Sequence, residues 1–195
     1  MQSSPRERPC IHVIATQHLD VAWLWKRVPE GENLMKLCFM RNLEMSDADR
    51  TGSFSSARST PWSFEAIERQ FPELFERVKS AVDEGKIEPM GGQWVEPDNV
   101  IPSGESLLRQ SLYGQLYYLD RFGRSTRVCW DPDVFSHGQA LPQILTAGGF
   151  EAYYTHRCGP VDEKGKLIPV FFWKGPADTM ILCFTMNWQA APDKH

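Results

Sequence analysis

The stretch VCWDPDVFSHGQALPQILTAGGFEAYYT, residues 128–155, decides the fold. Its first residues, Val128–Trp130, are predicted to form a strand, and a polar loop follows. Gln139–Ala147 is predicted to be a helix that ends at the glycine pair behind it, since glycine commonly follows the last helical turn. Ala152–Thr155 is predicted to be a second strand. This order indicates two parallel strands joined by a crossover helix.

The same alternation of strands and helices continues in both directions along the chain. Such a pattern predicts the α/β class, with a mostly parallel sheet covered by helices, as either an open sheet or a barrel. The chemistry of these folds lies at the C-terminal ends of the strands. Further strands are predicted at Ile11–Thr16, Gly52–Ala57, Lys86–Met90, Val170–Trp173 and Met180–Thr185, and further helices at Asn33–Met45, from Pro61 behind the cap Thr60, at Pro72–Glu84 and at Gly104–Arg121.

The composition is that of an ordinary globular domain. The chain has 195 residues, of which 42% are hydrophobic and 24% charged, and its net charge is −4. An acidic balance without a basic block gives no electrostatic support for a nucleic-acid or anionic-membrane partner. Residues 1–9 are polar and are predicted to form a disordered leader, and residues 10–195 are predicted to form one domain. No apolar run approaches the ~20 residues that span a bilayer.

The cysteines bear on the compartment. The five cysteines are scattered and form no C-x-x-C pair. An odd, unclustered set argues against a disulfide framework and against a thiolate zinc site. We therefore expect reduced thiols and a cytoplasmic protein.

The first candidate site is TQHLDVAWLW, which directly follows the first predicted strand. Residues two apart in extended backbone point to the same side, so His18 and Asp20 are expected to project together and could hold a divalent ion. Taken alone, an H-x-D pair is more often a solvated loop pair. Trp25 is interpreted as a packing residue, whereas the indole face of Trp23 could stack on a sugar ring.

The second candidate site is WDPDVFSH, residues 130–137. Asp131 is interpreted as a turn or capping residue, since loop aspartates usually have that role. Asp133 is the candidate nucleophile, because an adjacent cation would keep its carboxyl group ionised. His137 could be a further ligand, but a packing histidine is the more common case.

Two further segments carry candidate side chains. In GGQWVEPDN, residues 91–99, the paired glycines permit close backbone approach. Glu96 and Asp98 are acid candidates there, and turn formation with helix capping explains them at least as well. Arg157 follows a predicted strand, where it could pair with a structural carboxylate or orient a catalytic one.

These motifs together resemble glycoside hydrolase family 38, the metal-dependent α-mannosidases. The matching segments are HLDVAWLW, PELFERVK, GGQWVEPD, SGESLLRQ, PDVFSH, LPQIL and the YTHR segment ending at Arg157, and they span roughly residues 11–185. Several motifs in one order are more specific than any one of them.

The resemblance implies a distorted (β/α) barrel with mostly parallel strands, of the kind shared by this glycoside hydrolase and deacetylase superfamily. One Zn²⁺ would lie at the strand ends, with Co²⁺ or Mn²⁺ as alternatives. The chain would be the N-terminal part of the catalytic domain, incomplete and without the later domains. The general acid/base and a fourth metal ligand are expected beyond residue 195.

The resemblance also assigns roles to residues. It implies that His18, Asp20 and Asp133 bind the metal and that Asp133 is the nucleophile. Trp23, Phe135 and Arg157 would line the mannose pocket.

The implied activity is retaining hydrolysis of terminal α-D-mannosides in oligosaccharides. Two alternatives stay open: a metal-dependent deacetylase-like hydrolase and a non-catalytic carbohydrate-binding fragment. A homo-oligomeric full-length enzyme is compatible with the resemblance.

Overall fold

The computed structural model describes residues 15–50, 56–58 and 60–186. Strands and helices alternate through most of these residues. The strands are β1 Ala15–Gln17, β2 Ser56–Arg58, β3 Ile87–Pro89, β4 Val128–Trp130, β5 Ala152–Thr155, β6 Val170–Lys174 and β7 Met180–Thr185, and the helices are α1 Glu32–Ala48, α2 Pro61–Gln70, α3 Pro72–Asp83, α4 Gly104–Phe122 and α5 Leu141–Ala147.

The strands form two sheets. One has the order β1-β2-β3, with all neighbours parallel. The other has the order β4-β5-β7-β6, in which only β6 is antiparallel to its neighbour. The predicted α/β class with mostly parallel strands is confirmed, and so is the β4-α5-β5 crossover unit.

The predicted barrel is not confirmed by these sheets. The described strands are not paired into one closed ring, because β3 and β4 belong to different sheets. An isolated parallel bridge between Asn99 and His137 joins the loops that follow these two strands. The sheets therefore approach each other at the loops.

Proline and the apolar pattern explain α2 and α3. Each helix has a proline at its first turn, where the missing N–H costs no helical hydrogen bond. Thr60 occupies the predicted N-cap position of α2, without a capping hydrogen bond from its side chain. The apolar residues of α3 recur at helical spacing and form a buried stripe that includes Leu74, Phe75, Val78 and Val82.

Three leucines of α4 do not face the core. Leu112, Leu116 and Leu119 are exposed, although Leu107 is buried. The buried face of α4 carries Leu107, Ser111, Gly114 and Tyr118. A Cβ on Gly114 would overlap the carbonyl oxygen of Gly92, so this face is shaped by the close approach of the loop after β3.

Two hydrophobic clusters hold the elements together. The first joins α1, α2, α3, β3 and α4, with Phe39, Phe64 and Tyr118 among its buried side chains. The second packs α5 against β4, β5, β6 and β7, around Leu145 and Tyr153.

Some sequence-based predictions concern residues outside the described ranges. They are the leader 1–9, the first part of the strand Ile11–Thr16, of which β1 contains the end, and the first part of the strand Gly52–Ala57, of which β2 contains the end. Among the described residues, none of the helices is long and apolar enough to cross a membrane. The described cysteines are free thiols, and Cys129 and Cys183 are buried.

Candidate metal site and pocket

The candidate side chains lie just beyond the C-terminal ends of parallel strands. His18 directly follows β1, Asp133 lies in the loop after β4, and Arg157 follows β5. Parallel strands present these ends at one edge, which is why residues distant in sequence meet there. Leu19 packs against the first hydrophobic cluster, while His18 and Asp20 on either side of it reach the pocket.

His18, Asp20 and Asp133 lie close enough to share one ion. One ligand atom from each lies within 4.8 Å of the others. His18 Nε2 is 3.6 Å from Asp20 Oδ1 and 3.6 Å from Asp133 Oδ2. These separations are too long for good hydrogen bonds. They resemble the roughly 3.4 Å between two ligand atoms that lie about 2.1 Å from a tetrahedral zinc ion.

Glu96 also contacts this cluster. Its Oε2 lies 2.9 Å from His18 Nδ1. Its Oε1 accepts a hydrogen bond from the backbone N–H of Asp133. The hydrogen bond with Glu96 is the main cause that raises the pKa of His18, with the charges of Glu96, Asp20 and Asp133 adding to it and burial opposing it.

Arg157 completes the surroundings of Asp133. Its Nε donates to Asp133 Oδ1, and its Nη2 lies against the same oxygen. The guanidinium carbon stands 4.6 Å from the centre of the Phe135 ring, within cation–π range. Oδ1 of Asp133 is therefore held by Arg157, while Oδ2 faces His18.

The comparisons with known proteins concern nearly the whole chain. The sequence model described as "Glycosyl hydrolases family 38 N-terminal domain" matches residues 9–194. The chain belongs to glycosyl hydrolase family 38. The resemblance seen in the sequence is thereby confirmed.

Relatives of this family 38 chain are much longer than it is. It is 31% identical over 172 residues to "Alpha-mannosidase 2C1" of Mus musculus and 31% identical over 173 residues to "Alpha-mannosidase" of Saccharomyces cerevisiae. Each match covers 88% of this chain and 16% of the relative. The crystal structure of an alpha-mannosidase from Enterococcus faecalis V583 has a similar fold, with a TM-score of 0.77 at 21% identity, over 89% of this chain and 19% of that one.

A pocket of about 380 Å³ opens beside the candidate ligands of the family 38 chain. Phe135 lines it and is itself largely exposed. Trp23 lies outside the pocket lining, is exposed, and packs edge-on against Trp25. Trp25 donates its indole N–H to the carbonyl of Asp20 at 3.3 Å, which fits the packing role expected for it.

Asp131 does not have the turn or capping role expected for it. Its side chain is buried, and Oδ2 accepts hydrogen bonds from Asn99 Nδ2 at 3.1 Å and Cys129 Sγ at 3.6 Å. Burial is the main cause that raises the pKa of Asp131 to about 8, with the charge of Glu96 adding to it. The expectation was wrong because the side chain of Asp131 is buried and bonds to the side chains of Asn99 and Cys129, and not to N–H groups of its own loop.

His137 and Asp98 have structural surroundings. His137 Nδ1 lies 3.1 Å from the hydroxyl of Tyr153, and burial lowers the pKa of His137 to about 4. It packs within the buried polar network and away from the candidate ligands. Asp98 Oδ1 accepts from the N–H groups of Val100 and Ile101, at 2.7 and 2.8 Å, so it forms a turn.

Sequence reasoning left the role of Glu96 open between an acid and a turn former. The structure places it against two candidate ligands instead. The signal that could have found it is its position after a third parallel strand, β3, because the loops after β1, β3 and β4 meet at one edge.

Proposed function

We propose that this chain forms the metal-binding, nucleophile-bearing part of a retaining α-mannosidase acting on terminal α-D-mannosides of oligosaccharides. The observation that carries the proposal is the convergence of His18, Asp20 and Asp133, from two distant stretches, to 3.6 Å around His18 Nε2. Family membership and the printed names of the relatives supply the reaction and the sugar.

The donor set suits a divalent cation, and zinc is the ion we propose. One imidazole nitrogen and two carboxylate oxygens form a mixed N/O set typical of catalytic zinc, with Co²⁺ and Mn²⁺ as weaker candidates. When bound, such an ion supplies charge stabilisation and orients sugar hydroxyls.

The protein's own groups would carry the bond changes. One carboxylate oxygen of Asp133 would attack the anomeric carbon while the bond to the leaving oxygen breaks, and that oxygen takes a proton from a general acid. Arg157 would hold Oδ1 and so fix the carboxylate for attack. Water would then cleave the glycosyl ester, and two inversions give net retention of configuration.

The pocket residues would bind the mannose ring. Phe135 lines the pocket and presents an exposed aromatic face beside Arg157. Trp23 is the third proposed sugar-binding residue. Its indole is exposed and would contact a ligand that extends beyond the pocket. Closure of the two sheets into a barrel belongs to the same proposal. A cytoplasmic location also belongs to it, because the described cysteines are free thiols.

Covalent trapping tests the proposal. A fluorinated α-D-mannosyl fluoride carries a leaving group that departs without protonation, so the test needs no general acid. With Zn²⁺ present, we expect a mass gain of one fluorinated mannosyl unit, mapped by peptide mass spectrometry to Asp133. Asp133→Asn should show no gain, and the control Asp162→Asn, at an exposed turn outside the pocket, should be labelled like wild type. Labelling of another carboxylate, acetate release from an acetylated sugar without an adduct, or sugar binding without an adduct would each contradict it.

A further inference from the structure

Glu96 joins two of the three proposed metal ligands. One of its carboxylate oxygens lies 2.9 Å from His18 Nδ1, and the other accepts from the backbone N–H of Asp133. Its side chain is 11% exposed, against 32% for His18 and 24% for Asp133. Glu96 lines the pocket with them, but both of its oxygens are occupied, so it is poorly placed to be a ligand itself.

The backbone before Glu96 is fixed to α4. The N–H of Trp94 donates to the carbonyl of Gln110 at 2.9 Å, and the N–H of Val95 donates to the Gln110 side chain at 3.1 Å. The close contact of Gly92 with Gly114 adds to this attachment. The carboxylate of Glu96 is thus supported by a helix, while its two partners lie on separate loops.

The contact with Nδ1 decides which nitrogen of His18 can bind a cation. A carboxylate accepts a hydrogen bond, so it favours the form of neutral imidazole that carries its proton on Nδ1. That form leaves the lone pair on Nε2, the nitrogen that lies 3.6 Å from both Asp20 and Asp133. Without Glu96, the two carboxylates around Nε2 would favour a proton there instead.

We infer that Glu96 is a positioning residue that selects the metal-binding tautomer of His18 and holds the Asp133 loop beside it. This inference rests on the proposed metal site. Outer partners of metal-binding histidines typically contribute 10–100-fold to metal affinity. Glu96 contacts two proposed ligands, so its removal should reach the upper part of that range.

Two measurements test Glu96, and neither needs catalysis. The first is the Zn²⁺ dissociation constant, obtained by competition with a chelator. Glu96→Gln keeps one acceptor and should weaken binding about 10-fold, and Glu96→Ala about 100-fold. Asp162→Asn removes a charge from an exposed turn outside the pocket, where Asp162 accepts from the backbone N–H groups of Lys164 and Lys166, and should leave the dissociation constant unchanged.

The second measurement is the tautomer of His18 in the metal-free chain. Two-bond ¹H–¹⁵N spectra at alkaline pH distinguish the tautomers of neutral imidazoles, and the His18 signals are assigned by their loss in His18→Ala. We expect a proton on Nδ1 in wild type and a shift toward Nε2 in both Glu96 variants.

The outcomes separate the two proposals. If wild type binds no Zn²⁺, the proposed metal site fails. If wild type binds Zn²⁺ and both Glu96 variants bind it equally well, the inference about Glu96 is overturned. If the Glu96 variants lose their helical circular dichroism and so do not fold, the ¹H–¹⁵N spectrum of wild type alone tests the inference. A proton found mainly on Nε2 of His18 in wild type overturns it.

Discussion

Asp131 and Asp133 are the same residue type on either side of Pro132, yet they belong to different regions. Asp131 is 1% exposed and hydrogen-bonded to Asn99 and Cys129, within a network that includes Tyr153. Asp133 is partly exposed, held by Arg157 and close to His18. Burial among neutral groups favours the protonated form of the Asp131 carboxyl group and raises its pKa. Neighbours therefore separate a structural aspartate from a candidate catalytic one.

The largest expected effect concerns the partly exposed region around Asp133, which includes His18 and Arg157. His18→Ala removes the proposed ligand that lies near both carboxylates, so Zn²⁺ binding should weaken by more than the 10–100-fold typical of losing an outer partner. A competition titration with a chelator measures this. His137→Ala is the matched control, because His137 lies against Tyr153 in the buried network around Asp131. Equal losses in the two variants would remove the distinction between the regions.

Gly114→Ala should damage both regions together. Its Cβ would overlap the backbone of Gly92, at the start of the loop that carries Glu96 to the exposed region and Asn99 to the buried one. Overpacking against backbone should lower the free energy of unfolding by about 3 kcal/mol. Urea unfolding measures it. Gly104→Ala on the same helix meets only a methyl group at 3.6 Å and should change little, and equal stability of the two variants would show that the loop is not held by close contact with α4.

Asp131→Asn should change how the free energy of unfolding depends on pH. The folded carboxyl group has its pKa raised to about 8, so the folded protein keeps a proton that the unfolded chain has lost, and stability falls as pH rises toward 8. Asparagine does not titrate. From pH 6 to pH 8, the free energy of unfolding of wild type should therefore fall by about 2 kcal/mol relative to that of Asp131→Asn. Urea unfolding at both pH values without added metal measures this, and a constant difference would mean that Asp131 is ionised in the fold.

The smallest expected effect is at the pocket rim. Phe135 and Phe172 are 71% and 68% exposed, so replacing either with alanine should change the free energy of unfolding by less than about 0.5 kcal/mol. Only Phe135 lines the pocket. Titration with methyl α-D-mannoside should show that Phe135→Ala binds the sugar a few-fold more weakly than wild type, since stacked ring contacts contribute about 0.5–1.5 kcal/mol. Phe172→Ala should bind the sugar as tightly as wild type. Equal affinities would remove Phe135 from the proposed sugar contacts.

The sequence predicted the order of elements because local signals dominate there. Proline at the first turn and the apolar stripe predicted α3, and glycine after α5 marked its end. The exposure of Leu112, Leu116 and Leu119 on α4 could not be predicted from their spacing, because a distant loop packs closely on the face that carries Gly114.

The candidate site could be predicted only in part, because local motifs reveal residue types and long-range contacts determine their surroundings. The motifs located His18, Asp20 and Asp133, and their metal-binding roles stay predictions. The surroundings of Asp131 and Glu96 depend on contacts between residues more than 30 positions apart in the chain, which spacing alone does not reveal.

An anomalous difference map at the zinc edge, from crystals of this chain grown with Zn²⁺, tests whether His18, Asp20 and Asp133 bind one metal ion. We expect one strong peak about 2.0–2.2 Å from His18 Nε2 and from a carboxylate oxygen each of Asp20 and Asp133. A zinc peak elsewhere, with no peak among these three side chains, would contradict it.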